Sequence, residues 1–97
     1  MQEDHVSMGW SAARKLRRAV SGLTDVLAVE LLTAARALDL RSPLEPGLAT
    51  GAVSRTVRAR VPGPGPDRHL SPEIAAVAEL ITRGTIVEAA ESVISLD

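Results

Sequence analysis

Between Glu3 and Leu40 the only residues that disfavour a helix are Gly9 and Gly22. Across that span apolar residues recur at Leu16, Val20, Leu23, Leu27, Leu31, Ala35 and Leu38. Steps of three and four are the spacing of one helix face. A second set, Ala19, Val26, Val29 and Leu32, fills other faces. From Val26 to Leu38 the polar stripe narrows to Glu30, Thr33 and Arg36, and a helix apolar on most sides is buried on most sides. Ser42-Pro43 stops the run, because a residue preceding proline avoids the α region. A helix of about 38 residues is about 57 Å long at 1.5 Å per residue, whereas a compact domain of about 100 residues has a radius of gyration near 13 Å. The rest of the chain is too short to wrap such a rod. Partner surface is needed, from a second copy or from further sequence.

Beyond the rod the chain is also helical, but in short pieces. Residues 42–49 read as a loop containing Pro43, Pro46 and Gly47. Thr50 is suited to cap a short helix over about 51–61, with Val53, Val57 and Val61 inward and Arg55, Arg58 and Arg60 outward. Pro62-Gly63-Pro64-Gly65-Pro66 is a hard break, since it removes backbone donors and fixes φ. Ser71-Pro72-Glu73 restarts a helix over about 72–83: a capping serine, then proline and an acid in the first turn. Ile74, Val77, Leu80 and Ile81 carry its apolar face and Gly84 ends it. Thr85-Ile86-Val87-Glu88 has the form of a capping box opening a last helix over about 86–95. With no alternating run and no repeat, the expected class is all-α: one long N-terminal helix followed by three shorter helices, part of a larger oligomeric helical bundle.

Composition narrows the functions open to such a chain. There is no Phe and no Tyr, and Trp10 is the single tryptophan. The core is therefore aliphatic and thin, because aromatic rings supply the largest buried areas. A formal net charge of −1 argues against nucleic-acid binding by the whole chain. With no cysteine, disulfides and thiolate chemistry are excluded. No charged and apolar leader precedes Gln2, so no signal peptide is expected. No apolar run approaches the ~20 residues that span a bilayer, so no membrane partner is expected.

The chemistry-bearing side chains gather at the start of the rod, in Gln2-Glu3-Asp4-His5-Val6-Ser7-Met8-Gly9. Helix starts expose unpaired N–H groups and the positive end of the dipole. Glu3, Asp4 and His5 there are either acid–base groups facing a ligand or a solvated, dipole-complementing helix start. Arg14, Lys15, Arg17 and Arg18 form a basic cluster. Without stacking aromatics beyond Trp10 it reads as a solvated or subunit-facing surface rather than a nucleic-acid patch. His5 and His69 have no ligand-spaced partners, so no metal is expected. Met8 and Trp10 are open to two readings, pocket lining or packing. The Pro-Gly run is a stiff surface connector.

The octapeptide Gln2–Gly9 resembles the late active-site motif of the histidine ammonia-lyases. The likeness continues through Ala12-Ala13-Arg14-Lys15-Leu16, Leu31-Leu32-Thr33-Ala34-Ala35-Arg36-Ala37-Leu38-Asp39 and Val61-Pro62-Gly63-Pro64-Gly65-Pro66-Asp67-Arg68. It spans essentially the whole chain, in order, and resembles that enzyme's C-terminal portion. The resemblance implies conversion of L-histidine to trans-urocanate and ammonia, in the cytoplasm, by a homotetramer of packed long helices. It implies that Glu3 stands at the substrate, as a binding group or as the base near the β-carbon. Gln2 and Met8 are then substrate-binding or adjacent to the electrophilic prosthetic group. The partners implied for the long helix are other copies or the N-terminal region of the same enzyme.

The departures matter equally. The family's electrophile is a methylidene-imidazolone formed from an internal Ala-Ser-Gly, and this chain has only Val20-Ser21-Gly22, inside the predicted long helix. The family's catalytic tyrosines are impossible here, since there is no Tyr. The expectation is a C-terminal fragment, with Met1 marking a shortened reading frame or an expression boundary. Such a fragment carries no cofactor of its own and is inactive in isolation. The alternative is a non-catalytic helical oligomerisation module or truncated relic. His5 after Glu3-Asp4 favours histidine over the substrates of related lyases and aminomutases.

Overall fold

The structure, a computed structural model, describes residues 2–65 and 68–95, with side chains described from Met8 onward. Pro66 and Asp67, part of the proline-glycine segment, lie outside the described residues. The described residues form four helices and no strand: α1 (Gln2–Leu40), α2 (Leu48–Arg58), α3 (Ser71–Thr82) and α4 (Thr85–Glu91). The 39-residue α1 runs without interruption through Gly9 and Gly22. It sets the long dimension of a particle measuring 65 × 37 × 17 Å, whose radius of gyration is 17.7 Å. A compact chain of this length has a radius near 13 Å, so the excess is the rod itself.

The short helices gather along α1 from about Leu16 to its C-terminal end. Helix α3 lies back along it: Ser71 and Ile74 border a groove with Val26, Val29 and Glu30, while Thr82 and Arg83 border one with Leu16, Arg17 and Val20. Helix α2 packs mainly on α4, which also contacts α3. The core where they meet is Ala28 and Ala35 from α1, Val57 from the last turn of α2, Val61 from the segment after it, and Val77 from α3. Leu31, Leu32, Ile74, Ile81 and Ile86 pack around it, half-buried. Alanine at positions 28 and 35, seven residues apart on one face, lets the neighbouring helices approach α1 closely. The core is aliphatic and thin, and its bulkiest fully buried side chains are valines.

Several local expectations are corrected. The cap of α2 lies three residues earlier than expected: Gly47 is the N-cap, and Thr50 lies inside the helix. Gly51 is buried there, where an added Cβ would come within 3.3 Å of the Arg55 guanidinium and 3.6 Å of the Pro46 ring. The tight approach is to the Arg55 side chain, while Pro46 lies at ordinary contact distance. Ser71 is the first residue of α3 rather than its cap, which is Leu70. The capping box at Thr85 does not form: Gly84 is the N-cap, with φ 77°, and no side chain caps the helix. Gly84 joins α3 to α4 in the left-handed region that glycine enters at little cost, which leaves no room for the serine-type cap geometry. Helix α4 closes at Glu91.

The cover on α1 is as incomplete as its length implies. Its apolar middle is covered on one side only. Ala28 and Ala35 are buried, but Val26, Leu27 and Val29 are 56, 39 and 46% exposed. Further toward the N-terminus Leu16, Val20 and Leu23 are 65, 55 and 58% exposed. The helical periodicity is as read, and among the described residues nothing covers the rest of that apolar surface.

Candidate functional site

The first turns of α1 hold the residues singled out from sequence. Gln2, Glu3, Asp4 and His5 belong to the helix, so their backbones follow its regular path. Their side chains lie outside those described, and with them the expected grouping of Glu3 and Gln2 with Met8. Met8 is 61% exposed. Trp10 is 66% exposed, and the Arg14 guanidinium carbon sits 6.0 Å from its ring centroid. At that distance the cation–ring attraction of an exposed pair is about 0.5–1 kcal/mol, enough to favour one rotamer of the indole. Arg14, Lys15, Arg17 and Arg18 are all exposed. The ends of α1 thus differ: its C-terminal half is a packing surface, and its N-terminal half carries polar and basic groups with large apolar side chains left open.

Ser21, the serine of the only Xaa-Ser-Gly sequence in α1, is exposed and borders the groove between α1 and α3. Its backbone is helical on both sides. Cyclising a tripeptide requires the serine's preceding carbonyl and following amide to meet in a tight, non-helical loop. A regular helix holds them apart in its hydrogen-bond ladder. The residues here do not fit formation of a methylidene-imidazolone.

At the other end of α1 the structure shows a charged joint that sequence reading missed. Arg58, read as an outward residue, is only 21% exposed and turns back to Asp39. Its Nε donates to Asp39 Oδ2 at 2.8 Å, a second guanidinium nitrogen lies 2.6 Å from the same oxygen, and a third donates to the Pro62 carbonyl at 3.0 Å. Arg68 donates to that same carbonyl at 3.0 Å and pairs with Glu73, whose side chain is 13% exposed. Two guanidinium groups therefore converge on one carbonyl at the start of the proline-glycine segment. They tie it to the last turn of α1 and the first turn of α3. Nothing in local spacing signals this, because Arg58 and Asp39 are 19 residues apart. A second pair of bonds, Arg60 and Arg83 to Glu79, is more exposed. Among the described residues no three His, Asp or Glu side chains gather in a way that would hold a metal, no side-chain polar atom is buried without a partner, and no helix is long and apolar enough to cross a membrane.

Residues 1–59 match the family described as aromatic amino acid lyase. The histidine ammonia-lyase of Streptomyces coelicolor is 61% identical over 94 residues, which is 96% of this chain and 18% of that protein. The histidine ammonia-lyase of Streptomyces avermitilis is 56% identical over 96% of this chain and 18% of its own length. That of Streptomyces griseus is 53% identical over 96% of this chain and 19% of its own length. The chain therefore spans about a fifth of the length of these curated relatives. No solved structure matches it significantly.

Proposed function

We infer that this chain, which belongs to the aromatic amino acid lyase family, forms the C-terminal helical portion of a cytoplasmic, homotetrameric histidine ammonia-lyase. The whole enzyme converts L-histidine to trans-urocanate and ammonia. The observation that carries this is the 61% identity to a histidine ammonia-lyase across nearly the entire chain. The unfinished surface of α1 supports it, since a rod with this much open apolar area belongs inside a larger assembly.

In that assembly Glu3 is the substrate-site carboxylate, a binding group or the base for the β-proton. Gln2 and Met8 lie against the substrate or the prosthetic group. The methylidene-imidazolone would come from the remainder of the enzyme, and the chemistry it would supply is activation of the substrate amino group as a leaving group. This chain's part is to bring a carboxylate to the site on a rigid helix and to bury that helix against other chains. A carboxylate used as a base has to reach the proton it removes, and proton transfer of this kind contributes about 10²–10⁴-fold. Glu3 without the electrophile therefore yields no elimination.

The test is urocanate absorbance, measured for the chain alone, for an enzyme reconstituted with the remaining polypeptide, and for its Glu3→Gln form. The expected results are no turnover by the chain alone, turnover on reconstitution, and a loss of at least about 10²-fold in the Glu3→Gln enzyme with assembly intact. Turnover by the chain alone overturns the fragment reading. Full activity of the Glu3→Gln enzyme removes Glu3 from the catalytic groups and leaves it a helix-start charge. Assembly without any turnover supports the other reading, a helical oligomerisation module.

A further inference from the structure

We draw no further inference here: the strongest candidate, the exposed apolar face along the middle of α1 formed by Leu16, Val20, Leu23 and Leu27, carries nothing because the structure does not show what covers it.

Discussion

Replacing Arg58 by alanine tests the joint between α1 and the proline-glycine segment. The substitution removes two short bonds to Asp39 and one to the Pro62 carbonyl. The pair is partly shielded, at 21 and 31% side-chain exposure. Its worth therefore lies above the roughly 0–1 kcal/mol of a surface pair and below the roughly 3–5 kcal/mol cost of breaking a buried one. The Pro62 carbonyl keeps its bond from Arg68 and is not orphaned. The expected cost is about 2 kcal/mol, in line with a hydrogen bond to a charged group. For a domain of this size that is a fall in Tm of about 8–16 °C. A second effect fixes the sign of the reasoning. Asp39 is the penultimate residue of α1, where a negative charge meets the negative end of the helix dipole, a cost of about 0.3–1 kcal/mol when unpaired. Asp39→Asn should destabilise the wild-type chain, yet be neutral or stabilising in the Arg58→Ala background. Arg58→Lys should lose most of the joint too, because a single ammonium cannot serve Asp39 and the Pro62 carbonyl together. The assay is urea unfolding followed by far-ultraviolet circular dichroism at one fixed protein concentration, since association alone shifts apparent stability. Arg58→Ala within about 0.5 kcal/mol of wild type, a surface-like result, or the same effect of Asp39→Asn in both backgrounds, refutes the argument.

Three further outcomes are expected. Val77→Ala, at a site with no solvent exposure, should cost about 2 kcal/mol in the same unfolding assay through lost burial and a cavity against α1. Gly84→Ala, which meets no atom within 4 Å but sits at φ 77°, should cost about 1 kcal/mol for placing a Cβ in the left-handed region; an unchanged midpoint would show that the turn between α3 and α4 relaxes freely. Sedimentation of the chain should show self-association, and Leu23→Lys, changing a residue 58% exposed on α1, should weaken it while leaving helix content unchanged; a stable, cooperatively melting wild-type monomer would contradict the reading of the rod as a surface awaiting partners.

The class and order of elements, and the length of α1, came from spacing alone. The three-and-four recurrence from Leu16 to Leu38 and the stop at Ser42-Pro43 are local facts of the chain, and helices are made of local bonds. The same holds for the resemblance carried by Gln2–Gly9 and the three runs after it, which needs only order and identity. Three kinds of feature were decided by tertiary structure. Caps were one: Thr50, Ser71 and Thr85 have the right chemistry for helix starts, but Gly47, Leu70 and Gly84 take those places, because the path of the incoming chain sets the cap. Charge pairing was another: Arg58 reads as an outward arginine until the fold brings Asp39 and Pro62 to it. Burial was the third. Periodicity shows which side of α1 is apolar, but only packing shows that Ala28 and Ala35 are covered while Leu16, Val20 and Leu23 are not. A sequence writes a face for whatever surface it evolved against, and covering that face is a property of the partners present.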